Sequence, residues 1–285
     1  MSYREFLTYC FSPGEWRRRD LDLLDIETVS QLADWGSVMG GASVLGKSTL
    51  SRWADLLLPV EHGYRGSWIS SLWVTRYCPE CLTEDRHQYL RLGWRLHLSP
   101  ICPKHGLLLL NACGRCHRSQ AIAHFIRGDV AGACVSCGYP LSDGEANHPA
   151  NVRELLQFTL SLHRMLEMRQ APDVDGWSGS VQEFLGALKF TVRLLGLSIS
   201  QEGRLGELSD LYGLPHEEAT DWRNSEAAAC ILISESLKAM EDWPENFVRL
   251  LRLQRPLLNP RYLGHSPKYL VSNPAISRIV RGVAR

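Results

Sequence analysis

The chain has 285 residues, and no stretch of it approaches the ~20 consecutive apolar residues that a membrane span needs. A membrane protein is therefore not expected. The first residues, MSYREFLTYCFSPGEWRRRD, contain no continuous apolar run of the kind that forms a signal-peptide core. Disulfides are therefore not expected either, and a reducing cytoplasm is the expected compartment. There is no internal repeat and no low-complexity tract, which argues against a solenoid or a disordered scaffold. No Ser-His-Asp order and no cluster of metal-binding carboxylates is present, so the chain does not read as an enzyme. Net charge is also missing, since 31 basic residues balance 31 acidic ones. The balance is local nowhere. Residues 76–127 carry eight bases and three acids, and residues 173–245 carry five bases and fourteen acids. The last forty residues contain no Asp or Glu and eight bases: Arg249, Arg252, Arg255, Arg261, Lys268, Arg278, Arg281 and Arg285. Such a run suits phosphate or an acidic partner.

What the sequence does have is cysteine, nine in all, and seven of them stand in a fixed pattern. The pairs are Cys78/Cys81, Cys102/His105, Cys113/Cys116 and Cys134/Cys137. Each pair has two residues between its members, so a tight turn can aim both donors at one ion. Two pairs fill one tetrahedral site, and four pairs fill two. No position is left open for water, so the expectation is two structural Zn2+ ions rather than a catalytic one. A redox motif would be a single Cys-x-x-Cys, not four pairs in series. Sequential pairing joins Cys78, Cys81, Cys102 and His105, then Cys113, Cys116, Cys134 and Cys137. Cross-brace pairing, as in RING domains, would alternate them. Sequential pairing is favoured, because Gly106 to Ala112 separates the halves and holds the apolar run Leu107 to Leu110. His87, His97 and His117 stand outside the paired positions. Cys10 and Cys230 lie far off and read as buried small hydrophobes.

Length allows one large or two modest domains. The fold class expected is mainly α, with a central loop-rich double zinc-knuckle region and short strands. Helical spacing covers 21–34 and 48–58. Asn151 reads as the N-cap of a helix over 152–168, and 171–179 reads as a linker. Further helices are expected at 180–196, 203–212, 225–242 and 245–254. The boundaries expected are an N-terminal helical region at 1–75, two knuckles at 76–145, a helical domain at 146–255 and an irregular basic tail at 256–285. Gly41 to Ser48 fits the phosphate-loop pattern, yet no buried strand precedes it, so nucleotide binding is not expected. The same stretch fits helix-turn-helix grammar better. A helix at 27–38 and a turn at 39–42 lead to a second helix that presents Lys47, Ser48, Thr49 and Arg52 to a DNA groove or a partner. With the basic C-terminal run, the candidate contact residues are Lys47, Ser48, Thr49, Arg52, Arg249, Arg252, Arg255, Arg261 and Lys268.

Cys78-Pro-Glu-Cys81-Leu, then Tyr89 and Trp94, then Cys102-Pro-Lys-His105-Gly and Cys113-Gly-Arg-Cys116 resemble, in this order, the TniQ/TnsD family of transposon target-selection proteins. Trp243-Pro244 and Phe247 resemble a helix start of the same family. The resemblance covers roughly 76–255. No Glu-Ser-Leu helical signature stands before Arg17, so a shortened or divergent member is expected. It also lacks the long C-terminal extension with which larger members read a fixed attachment site. The resemblance implies a non-enzymatic adaptor in bacteria, associated with the nucleoid. Such a protein links target DNA, or a CRISPR Cascade-type RNA-guided complex, to the AAA+ ATPase regulator TnsC/TniB, which brings in the transposase. A homodimer is a further expected partner. Two other readings are weighed beside it: a freestanding sequence-specific DNA-binding protein, and a RING-like ubiquitin ligase module. The spacer between the knuckles argues against the last.

Overall fold

A computed structural model describes Trp53 and Leu56, then residues 75–86, 88–120, 132–202, 205–214, 225–254 and 274–284. The chain divides into two compact units, Met1–Ala146 and Asn147–Arg285. The expected helix-turn-helix pair lies outside the described residues, apart from Trp53 and Leu56, which are both buried.

The described part of the first unit is mostly turns. Its helix is α1 (Pro79–Glu84), and two short 3-10 turns follow at Leu92–Arg95 and Leu141–Asp143. The short strands expected here are isolated antiparallel bridges: Tyr77 with Leu110, Ile101 with Leu108, Ala112 with Ser119, and Ala133 with Pro140. Each segment turns back after a few residues, so ladders have no length in which to grow. The core forms where these turns converge. Tyr77, Leu82, Trp94, Leu107, Leu109 and Leu141 pack around Cys78, Cys81, Cys102, Cys113 and Cys134. Trp94 is 1% exposed. The leucine run does two jobs. Leu107, Leu108 and Leu109 are buried, and Leu110 exchanges backbone hydrogen bonds with Tyr77 (2.8 and 2.9 Å).

The second unit is helical: α2 (Val152–Met168), α3 (Val181–Glu202), α4 (Leu205–Tyr212), α5 (Glu226–Met240), α6 (Glu245–Leu253) and α7 (Pro274–Ala284). Helix α5 is the hub and packs on α3, α4 and α6, while α7 packs on α6. Helices α3 and α5 are buried on most sides, and the apolar run from Ala227 to Ile233 in α5 is covered throughout. A helix apolar all round must be internal. Gly196 does not end α3 as the sequence reading expected. Gly196 is half-buried and faces Leu232 of α5, where an added Cβ would make ordinary contact at 3.7 Å.

One expectation in this unit holds and two are corrected. Asn151 does occupy the N-cap of α2, but its side chain caps nothing and instead donates from Nδ2 to Ser234 Oγ at 2.8 Å. The segment at 171–179 is not a free linker. Trp177 packs edge-on against Phe184 and Trp243, with ring centroids 5.4 and 4.8 Å apart, and Trp243 stacks on Phe247 at 4.8 Å. The basic tail is not irregular throughout, because its last part is α7. Proline is compatible with a helix start, and Pro274 opens this helix. Ser277 and Val280 are buried along it.

Candidate metal centres

The four expected pairs are built in two ways. Three of them sit on one repeated turn. In each, the N–H of the first donor residue bonds the carbonyl five residues on, and its own carbonyl accepts from the N–H four residues on. The pairs are Cys102 N–H to Leu107 O (2.7 Å) with Gly106 N–H to Cys102 O (2.8 Å), and Cys113 N–H to Arg118 O (3.0 Å) with His117 N–H to Cys113 O (2.9 Å). The third is Cys134 N–H to Tyr139 O (2.8 Å) with Gly138 N–H to Cys134 O (2.7 Å). Each turn is clamped by one of the bridges already described, so the loop holds its shape with very little chain. The fourth pair departs from this pattern. Cys78 is the N-cap residue of α1 and Cys81 lies in its first turn, so a helix start aims both sulfurs to one side.

These elements gather the donors sequentially. Cys78, Cys81, Cys102 and His105 form one group, and Cys113, Cys116, Cys134 and Cys137 form the other. Within each group the donor atoms lie within 4.8 Å of one another. In the first, His105 Nδ1 is 3.4 Å from Cys78 Sγ, 3.3 Å from Cys81 Sγ and 3.7 Å from Cys102 Sγ, while Cys81 and Cys102 sulfurs are 3.6 Å apart. In the second, Cys113 and Cys137 are 3.7 Å apart and Cys116 and Cys134 3.6 Å. A tetrahedral ion with Zn–S near 2.3 Å and Zn–N near 2.0 Å requires S to S separations of about 3.8 Å and S to N of about 3.6 Å. The donor sets therefore fit a tetrahedral ion and are consistent with zinc. The first group is nearly sealed, whereas Cys137 of the second is exposed.

The sulfurs of each group hold their protons unequally, with Cys81 and Cys137 pushed up and Cys102 and Cys134 held down. Cys78 donates to Cys102, and the N–H groups of His105 and Lys104 add to this, so the Cys102 thiol is held down to about 5 despite its burial. The shared proton in turn pushes Cys78 up. Burial raises Cys134, but the backbone N–H groups of Ser136 and Cys137 and the neighbouring thiols bring it down to about 6. Both cysteines open one of the repeated turns, which supply N–H donors to the first sulfur.

Two residues beside the donors were missed in the sequence. Glu84 Oε2 lies 3.1 Å from His105 Nε2, an ion-pair approach rather than an aligned hydrogen bond, and Lys104 pairs with the same carboxylate. Lys104 holds Glu84 below the usual carboxylate range. A carboxylate behind a ligating histidine fixes its tautomer and orientation. The signal was there, since Glu84 stands one helical turn after Cys81. The other is Gln120, 1% exposed, whose Nε2 donates to Arg118 O (2.7 Å) and to Cys134 Sγ (3.5 Å). Nothing in its sequence setting points to that.

Of the other candidates, Arg249 and Arg252 lie exposed on α6, opposite its buried Phe247 and Leu251. Lys47, Ser48, Thr49, Arg52, Arg255, Arg261 and Lys268 lie outside the described residues, as does His87. The basic surplus of 76–127 is partly internal. Arg76 and Arg95 are buried, and Arg76 bonds the carbonyls of Trp94 and Leu96. Arg91 is tied to Asp85 at 2.8 Å and lies over the rings of Tyr89 and Trp94. His97 is buried and His117 exposed, and neither joins a donor group. Cys230 is fully buried, which pushes its thiol up to about 12.

Residues 8–109 match the family model described as TniQ. Over that stretch the chain is similar to the TniQ family. The match begins well before the region whose motifs carry the resemblance, so the N-terminal segment is TniQ-like even without a Glu-Ser-Leu signature. It ends after the first donor group, leaving the second group and all of α2 to α7 beyond it. A TniQ domain implies a non-catalytic role in transposition-associated target selection. No curated protein matches the chain. Among the described residues no helix is long and apolar enough to cross a membrane.

Proposed function

We propose that this chain is a zinc-containing adaptor that selects the target for DNA transposition. It connects a recognition element, either target DNA or a CRISPR RNA-guided complex, to an AAA+ ATPase regulator of the TnsC/TniB type. The observation that carries the reading is the TniQ match over 8–109, which runs through the first donor group. Cys78, Cys81, Cys102 and His105 hold one zinc ion, and Cys113, Cys116, Cys134 and Cys137 hold the other. The ions supply folding energy and rigidity rather than chemistry. A turn-rich stretch such as the described part of the first unit gains from ions that fix its loops as a binding surface. The test is capture of the purified ATPase by the full chain, scored with and without zinc. Binding that depends on metal supports the reading, and no capture under any condition sinks it.

A second reading is a freestanding DNA reader, favoured by the exposed Arg249, Arg252 and Arg278, which have no ion-pair partner among the described residues. It predicts a preference of ~10³ or more for one duplex over a scrambled one. An adaptor that takes its target from an RNA-guided partner binds both duplexes weakly, with a steep salt dependence.

A further inference from the structure

The three repeated turns provide an internal comparison. The residue after the second donor is Gly106, His117 or Gly138, with φ of 67°, 55° and 69°. All three are left-handed, a region that glycine enters freely and other residues enter at a cost. The middle turn alone keeps a side chain there. That side chain is exposed, so packing does not explain it. Backbone strain retained without a packing reason points toward function.

The same turn carries two exposed arginines, Arg115 between the donors and Arg118 just after His117. Their side chains have no hydrogen-bond or ion-pair partner among the described residues. The corresponding residues of the other turns differ. Lys104 is tied to Glu84, and Leu107 is buried. Ser136 and Tyr139 are uncharged. Residues 86–127 as a whole contain seven Lys or Arg and no Asp or Glu, so no acid of that stretch neutralises the pair.

We propose that Arg115, His117 and Arg118 form a contact for the phosphate backbone of duplex DNA. Two guanidinium groups and an imidazole N–H project from a turn of a few residues, which the second metal centre and the Ala112–Ser119 bridge hold in shape. Phosphate needs such donors at a fixed spacing. Unpaired nucleic acid is held on several aromatic rings that stack on successive bases, and the imidazole of His117 is the one ring exposed on this turn. The proposal rests on the transposition reading only in choosing duplex DNA among polyanions.

The experiment uses the full zinc-loaded chain. Binding to a labelled duplex of arbitrary sequence is followed by fluorescence anisotropy over a range of salt concentrations. The variants are Arg115→Ala/Arg118→Ala and His117→Gly. The double variant is expected to keep its metal content while its log–log salt slope falls by about 2. His117→Gly is expected to melt ~2 °C higher, because the strain is relieved, and yet to bind DNA more weakly. A merely structural histidine gives the first effect without the second, which overturns its part in the contact. An unchanged slope in the double variant overturns the proposal. So do loss of metal from that variant, which makes the arginines partners of the thiolates, and stronger competition by single-stranded RNA than by duplex. ATPase capture is scored separately, so a chain that captures the ATPase without using this turn sinks the contact and leaves the adaptor reading standing.

Discussion

Single residues in this chain are constrained by close approach more than by chemistry. Gly176 has φ +77°, and a Cβ there would sit 1.9 Å from the Trp243 carbonyl oxygen. Trp243 N–H in turn bonds Asp175 O at 3.1 Å, so the two backbones cannot part. Gly176→Ala is expected to destabilise the chain by more than ~1 kcal/mol, measured by urea denaturation. His163 supplies the pH dependence. Burial lowers its pKa from the usual 6.5, against the opposing pull of Glu167, and its Nε2 has no hydrogen-bond partner. The unfolded chain therefore takes up this proton first as pH falls. The neutral histidine's contribution is complete above about pH 6.5 and is lost as pH drops toward the lower folded value. His163→Leu is expected to flatten stability against pH between 7 and 5, and an unaltered slope would show that another group titrates there.

At the scale of elements, the sequence marked most helices and misjudged what surrounds them. The spacing of apolar residues over 152–168 reproduces α2 end to end, because an amphipathic stripe is a local property. Capping was harder to read. Asn151 has the right residue type but is drawn away to Ser234, while Ser180 forms a capping box with Glu183. Glu183 Oε2 accepts from Ser180 N–H (2.7 Å) and Oγ–H (3.0 Å), and Glu183 N–H donates back to Ser180 Oγ (3.3 Å). Ser180→Ala is expected to cost ~1 kcal/mol, read as a shift in the denaturation midpoint. Trp177 was misread for a related reason. Its neighbours are Pro, Asp, Gly and Ser, which signal a loop, and only tertiary contact with Trp243 and Phe247 shows that the loop is packed. The donor pairs were readable because ligand chemistry fixes both residue type and spacing. Glu84 was readable only from its place one helical turn after Cys81, and Gln120 was not, since any amide could have served.

Across the whole molecule, order in the two units has different sources. The second unit has a continuous apolar core between α3 and α5, whereas among the described residues of the first the core is built around its cysteines. Treating the full chain with a strong zinc chelator is therefore expected to abolish the near-ultraviolet signal of Trp94 and Tyr77 while keeping most of the far-ultraviolet helix signal. Acid acts in the same sense, because protons compete with the ion for thiolate and imidazole. Simultaneous loss of both signals would mean that the second unit depends on the metal too. The placing of Cys78 and Cys81 at the start of α1 has a further effect. A six-residue helix cannot persist by itself, since its first turn is too costly to nucleate. An ion gripping the N-cap residue and a residue of the first turn removes that cost, and α1 then delivers Glu84 to the face of His105. Capture of the ion and winding of the helix thus become one event, and the first centre should fill in a single all-or-none step, with no half-ligated state to linger.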